Sequence, residues 1–305
     1  MNPDPAPAMA RAEAFLRAAQ EGDGGWRDYR LPPGESWAWT TALVGLALAL
    51  EPVAPASRRC LERAVGALRT WITPRGWGYN PQTACDADST AWSLWLLSRL
   101  GALEGISGTA LLAPFLTAEG SVRTFADPQR FGAWAHPHED VAPVVGLALA
   151  ALGAEEEVTR IRRELCRRAL ARTSGEPPWQ AFWWDGPLYA VTMALTFLER
   201  TGGVPAAVRE RVLAWEAPPG EGAFDLALRW RWCLFRGRDA GDTIAHLLAL
   251  QGSGGGWSGT SRLRIPTQFP GEGNGPVGAW QDIHGLLSTA MVLLAWKGAG
   301  GCGWL

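Results

Sequence analysis

Six stretches of the chain are apolar nearly all the way round: WAWTTALVGLALAL (37–50), DADSTAWSLWLLSRL (86–100), EDVAPVVGLALAAL (139–152), PLYAVTMALTFLER (187–200), FDLALRWRWCLF (224–235) and DIHGLLSTAMVLLAW (282–296). A helix without a polar face has to be buried. Other stretches place apolar residues three and four apart and fill the remaining positions with Arg and Glu: AMARAEAFLRAAQ (8–20), RRCLERAVGALRTW (58–71), EEEVTRIRRELCRRALAR (155–172), PAAVRERVLAWE (205–216) and GDTIAHLLALQ (241–251). That spacing predicts surface helices with one face against a core. The two kinds alternate, and a turn rich in Gly or Pro leads into each buried helix: QEGDGGW (20–26), RGWGYN (75–80), AEGSVRTF (118–125), SGEPPWQAF (174–182), PGEGAF (219–224) and QGSGGGW (251–257). The first and last of these keep the same distance from Gln to Trp, which marks an internal repeat. Six outer and six inner helices predict an all-α fold, a single (α/α)6 barrel domain over residues 11–305 behind a disordered lead at 1–10. An open solenoid is the alternative packing of the same units.

In a closed barrel of this kind the inner helices run in one direction, so their first turns gather at one mouth. The residues found there are Glu35, Ser36, Trp37 and Trp39; Asp86 and Asp88; His136, His138, Glu139 and Asp140; Trp183, Trp184 and Asp185; Phe224 and Asp225; and Trp280, Gln281, Asp282 and His284. Carboxylates at helix starts read first as caps, stabilised by the helix dipole, and Asp140, Asp185 and Asp225 fit that role. Asp86 suits the N-cap of its helix, accepting from the amide of Asp88 or Ser89. Asp88 has no cap left to fill and lies one turn before Trp92 on the same face, so it is expected to point into the barrel. Burial and the neighbouring Asp86 would hold it protonated.

Composition narrows the classes. A net charge of -2, from 28 basic and 30 acidic residues spread along the chain, leaves no basic stripe for nucleic acid. The N-terminus has no apolar run behind a basic start, and the longest apolar runs fall short of the about 20 residues that span a bilayer. Five cysteines without a CxxC pair suggest neither a disulfide framework nor a zinc knuckle, and a cytoplasmic protein is expected. The 18 Trp outnumber 9 Phe and 3 Tyr together, so the fold has a use for indole rings.

DADSTAW resembles the DxDD-T-A motif of class II terpenoid cyclases, the squalene-hopene and diterpene cyclase group, and the Gln-to-Gly-x-Trp turns resemble that family's QW repeats. The resemblance implies that Asp88 protonates an alkene and that Asp86 stands beside it, with Thr90 and Ala91 matching the next pair and Ser89 replacing the last Asp. It implies a histidine, His138 or His136, that sharpens the acid by a hydrogen bond. It also gives the indoles a purpose, because Trp faces attract a carbocation without offering it a nucleophile. Trp39, Trp92, Trp134, Trp183, Trp184, Trp230 and Trp280 are the expected substrate wall. The substrate so implied is a polyprenyl diphosphate or a prenylated small molecule. No redox cofactor is called for, and Mg2+ would serve only to bind a diphosphate.

Three other readings compete. Protein prenyltransferase β subunits share the barrel and bind zinc; DIHG (282–285) resembles their His-bearing stretch, which offers Asp282, His284 and Cys85 as ligands, or His136, His138 and Asp140. Barrel glycosidases and lyases work with paired carboxylates, for which Asp86 or Asp88 would face Asp140 or Asp282. A non-catalytic isoprenoid-binding protein is the third, since class II enzymes usually set their site between two barrels and this chain has length for one; a partner chain or second copy would then close the cavity. Finally, SGTSRLRIPTQFPGEGNGPVGA (258–279) exceeds ordinary loop length. It is expected to lie over the mouth as a lid, with Arg262 and Arg264 able to hold an anionic head group alongside Asp282 and His284 at the rim.

Overall fold

The structure is a computed structural model and describes residues 4–51, 53–269 and 280–299. In chain order its helices are α1 (Ala6–Ala18), α2 (Ala38–Ala49), α3 (Pro55–Trp71), α4 (Ala87–Arg99), α5 (Gly108–Leu112), α6 (Pro128–Phe131), α7 (Ala142–Ala151), α8 (Glu155–Ala171), α9 (Leu188–Arg200), α10 (Ala206–Leu213), α11 (Gly222–Phe235), α12 (Gly241–Ala249) and α13 (Leu286–Ala299). A two-stranded hairpin, β1 (Asp28–Leu31) and β2 (Gly34–Ser36), precedes α2. The six apolar stretches become α2, α4, α7, α9, α11 and α13. Each packs on the next, and α13 packs back on α2, so the ring is closed as an (α/α)6 barrel.

Every residue of α2 is buried, as a helix without a polar face requires. In the outer ring α8 buries Val158, Ile161, Leu165 and Ala169 and exposes Arg163 and Arg167. The third outer position departs from the pattern. Gly101, Gly105 and Gly108 precede it and Pro114 interrupts it, so only the five residues of α5 and a 3-10 turn at Ala113–Phe115 form there. The N-terminal lead is also shorter than expected: α1 starts at Ala6 behind Pro5, because Ala8 and Met9 are apolar and bury against the core. Among the described residues no helix is long and apolar enough to cross a membrane.

The Gly-Trp turns explain why outer and inner helices stay in register. The indole N–H groups of Trp26, Trp77, Trp179 and Trp257 donate to the carbonyls of Leu16, Leu68, Leu165 and Leu247 on the preceding outer helices, at 2.7–3.0 Å. On the inner side, the backbone N–H groups of Trp26, Trp77 and Trp257 donate to the hydroxyls of Thr41, Thr90 and Thr289. The Trp26, Trp77 and Trp257 turns thus each tie two helices through one residue. Gly24 and Gly255 adopt φ of +95° and +91°, where a side chain would strike the carbonyls of Arg63 and Arg11.

The seam where the last repeat meets the first is closed by polar groups. Lys297 on α13 pairs with Glu13 on α1 at 2.8 Å and donates to the carbonyl of Leu50 at 3.0 Å. Gln251 donates from Nε2 to the carbonyls of Ala8 and Gly255, both at 2.7 Å. Replacing Gln251 by Ala removes both bonds and leaves the Gly255 carbonyl without its side-chain donor, so the variant should lose about 1–3 kcal/mol in urea unfolding. A loss within error would show that the seam does not depend on this side chain.

Candidate active site

The mouth holds a cavity of about 280 Å3 whose wall includes Trp39, Tyr79, Asp86, Asp88, Asp140 and Trp184. Four inner helices bring their first turns to it: α2 supplies Trp39, α4 supplies Asp86, Asp88 and Ser89, Asp140 and Val141 lead into α7, and Trp183 and Trp184 lead into α9. The starts of α11 and α13 are covered. A strap from the 258–279 segment crosses that side, with Leu263 paired to Trp184 and the N–H of Arg264 donating to the carbonyl of Trp183 at 2.8 Å. Leu263 and Ile265 face the cavity from the strap, and Leu31, Pro32 and Pro33 face it from the hairpin. The remainder of the segment, 270–279, lies outside the described residues.

Asp86 caps α4 as its position predicts. One carboxylate oxygen accepts from the N–H of Ser89 at 2.7 Å, the other from the Ser89 hydroxyl at 2.9 Å. Ser89, standing where the motif's last carboxylate would be, is therefore a donor that fixes Asp86. Burial nevertheless pushes Asp86 up to about 6. Asp88 faces the cavity as expected. Burial first, and then the Asp86 and Asp140 carboxyls, hold its pKa well above the usual carboxylate range, with the Trp92 indole pulling weakly the other way. Asp88 is therefore held toward its protonated form.

Asp140 was legible as a cap, as an opposing carboxylate or as a metal ligand beside His136 and His138. It is buried in the wall, and one of its oxygens, Oδ2, accepts from the backbone N–H groups of Phe182 and Trp183 at 2.9 and 2.8 Å. This carboxyl bridges the entries to α7 and α9, and burial pushes it up to about 6. Its other oxygen, Oδ1, is buried with no hydrogen-bond partner.

The indoles divide. Trp39, Trp134, Trp183 and Trp184 line the cavity, joined by Phe125 and Tyr79. Trp184 stacks on Tyr189 and Phe224 with ring centroids 4.5 and 4.8 Å away. The N–H groups of Trp134 and Trp183 donate to the carbonyl of Pro266 and the hydroxyl of Thr124, at 2.9 and 2.8 Å, so these rings are tethered rather than free to rotate. Three expected wall residues stand elsewhere. Trp92 is fully buried beneath Asp88 and stacked on Trp95; Trp230 packs on Trp296; and Trp280 stands outside the wall. Being apolar and inner was not enough, because one turn of helix separates the wall from the packed core below it.

The polar expectations need correction too. His138 does not reach the acid: its Nδ1 meets the Thr124 hydroxyl at 2.8 Å, its Nε2 meets the carbonyl of Ala133 at 3.1 Å, and its ring stacks on Phe182. Burial drives its pKa down to about 3, so it is neutral and committed to positioning the loop. Arg262 is held by Asp185 and Asp225 at 3.2 and 2.9 Å, and Arg264 donates to the carbonyls of Ala181 and Phe182. Both pin the strap instead of facing the cavity. Asp282 caps α13, accepting from the N–H groups of Leu287 and Ser288, while His284 is exposed. Asp282 is forced well above the usual carboxylate range by burial and by the adjoining carboxyl of Asp28. Cys85 hydrogen-bonds the Thr73 hydroxyl on the far side of the 83–86 segment. Among the described residues no three His, Cys, Asp or Glu side chains converge as a metal site would need, so neither set of expected zinc ligands is assembled there.

Tyr79, Thr124, Phe125 and Tyr189 were missed altogether. Tyr79 stands next to last in the Gly-rich turn RGWGYN and Phe125 last in AEGSVRTF, so their position at the outer-to-inner junction was the available signal.

No protein-family model matches the sequence, and no curated protein matches it by sequence. The fold is nevertheless shared with solved structures of type II terpene cyclases. A variant of MstE from Scytonema, in complex with geranylgeranyl dihydroxybenzoate as substrate, is similar over 97% of both chains, with 26% identity and a TM-score of 0.79. A second variant of the same enzyme, in complex with merosterolic acid A as product, gives 25% identity and a TM-score of 0.80 over the same share of both chains. ent-Copalyl diphosphate synthase from Streptomyces platensis is similar in fold over 86% of this chain and 50% of that one, at 18% identity and a TM-score of 0.58. The class of fold is therefore that of a type II terpene cyclase, in a single barrel.

Proposed function

We propose that this protein is a class II terpene cyclase that protonates the alkene of a prenylated small molecule and cyclises the resulting carbocation. The observation that carries the reading is the placement of Asp88, a buried carboxyl whose surroundings favour its protonated form, in the wall of an apolar cavity faced by Trp39, Trp134, Trp183 and Trp184. In the first step the Asp88 O–H bond breaks, a C–H bond forms at the alkene, and a tertiary cation results. Successive alkenes attack it along a chain folded against the indoles, each ring contributing about 0.5–2 kcal/mol to a desolvated cation. Loss of a proton ends the sequence, which makes the net change an isomerisation. We read the Gln-to-Trp turns as that family's QW repeats, and the strap as the cover that keeps water from the cation.

A neutral or weakly acidic prenylated head suits this cavity better than a diphosphate, because its described wall has three carboxyls and no Arg, Lys or His. The reading is tested by mass spectrometry of products from geranylgeranyl dihydroxybenzoate, a free prenyl alcohol and geranylgeranyl diphosphate, each with and without chelator. Cyclised product from an unphosphorylated chain, at a rate unchanged within about twofold by chelator, is expected. Turnover of the diphosphate alone, abolished by chelator, would overturn the substrate assignment.

A further inference from the structure

Asp140 is a buried acid for which the reaction as described has no use. Its Oδ2 accepts two backbone N–H groups, from Phe182 and Trp183, and so carries no proton. Any proton sits on Oδ1, the oxygen that is buried without a partner in the wall of the cavity that Asp88 also lines. We propose that Asp140 is the positioning residue for the acid: protonated on Oδ1, it donates a hydrogen bond to Asp88 and holds the carboxylate that Asp88 becomes once its proton has moved to the alkene. The inference rests on the acid-initiated reading above.

Atoms and charge balance without a further reactant. The Asp88 O–H bond breaks, its electron pair stays on Asp88 under the Asp140 O–H, and the proton becomes a C–H hydrogen of the substrate. Asp88 recovers a proton from solvent after the final cation has released one. The charged and titratable groups that act on this pair are Asp86 from the start of α4, Tyr189 from α9 and, through its charge, Arg264 from the strap. Only Arg264 is cationic, and it favours the ionised form of Asp140. Because burial places Asp140 at about 6, the donor is present below that pH and absent above it. An ionised Asp140 also repels the carboxylate forming on Asp88, so the step slows as pH rises.

The test uses the full chain with geranylgeranyl dihydroxybenzoate as probe. The wild-type rate should fall about tenfold between pH 5 and pH 7.5. Asp140→Asn keeps an oxygen for Phe182 and Trp183 and an N–H for Asp88 at every pH, so its profile should be flat and its rate at pH 7.5 above wild type. Asp140→Ala, with no donor, should be slow throughout. A flat wild-type profile, or an Asp140→Asn profile parallel to wild type, would overturn the proposal. Infrared spectroscopy of the unliganded proteins gives a readout independent of turnover: the protonated-carboxyl absorption lost as pH rises through about 6 should be smaller by one carboxyl in Asp140→Asn, and full amplitude there overturns the assignment. Asp88→Asn separates the two levels, since product retained by that variant refutes Asp88 as the acid, and with it a role for Asp140 in positioning that acid, whatever the infrared shows for Asp140.

Discussion

Asp88→Asn should lower product formation by about 10^4-fold or more while leaving the probe bound. An amide has the shape of a protonated carboxyl and can keep its contact with the Trp92 side, but it has no proton acidic enough to give to an alkene. In most general-acid reactions some rate survives through water, yet the wall here is apolar indole, Pro, Leu and Ile, and water in it would end the cation instead of starting it. The effect should therefore fall on turnover and not on affinity. Tryptophan fluorescence on titration with the prenylated probe, with Trp39, Trp134, Trp183 and Trp184 as reporters, should give dissociation constants within about threefold of wild type. Asp86→Asn provides the contrast, because Asn is itself a good N-cap and can still accept from Ser89; its loss should be about tenfold. If Asp88→Asn turned over within about tenfold of wild type, the proton donor would have to be another carboxyl of the same wall, Asp86 or Asp140.

The barrel could be read from the sequence because its signals are local and repeated. A helix apolar on every side, such as 37–50, has one solution, and a Gly-Trp turn recurring before such helices fixes how they connect. Asp86 and Asp88 were legible for the same reason: the first turn of a helix has assigned positions, and once Asp86 fills the cap Asp88 must face elsewhere. What the chain could not disclose is depth and rotation. Trp92 and Trp39 both begin inner helices, yet Trp92 lies one turn lower than the acid and meets Trp95 instead of the cavity. His138 stands at the expected helix start, but Thr124 and Ala133, both loop residues, take its two nitrogens. Arg262 and Arg264 read as free cations until the strap brings them against Asp185, Asp225 and the 181–182 carbonyls. Asp140 shows the converse. Its sequence context says cap, and it does bond two amides, but those amides belong to the entry to α9, a contact 42 and 43 residues away that places the carboxyl in the wall.

Asp88→Asn should also make the folded protein more stable at neutral pH, with the gain vanishing in acid. The sign follows from the direction of the shift. Burial and two neighbouring carboxyls raise the folded-state pKa of Asp88, so the native protein binds that proton more tightly than the unfolded chain does. Its contribution is fully present below the unfolded value of about 4 and is lost as pH rises from there through the folded value. At pH 7.5 the wild type must either hold a proton at Asp88 or bury its charge in order to fold, a cost in stability that Asn does not bear. Removing the Asp88 carboxyl also relieves Asp86 and Asp140 of a neighbour that competes for charge. Urea unfolding should place Asp88→Asn above wild type at pH 7.5 by more than the error of the extrapolation, and within about 0.5 kcal/mol of it at pH 4. A variant that is inactive and more stable is what a site holding a proton against its ordinary equilibrium predicts. Equal or lower stability at pH 7.5 would mean that Asp88 is ionised and well solvated in the native state, and a carboxylate of that kind has no proton with which to begin a cyclisation.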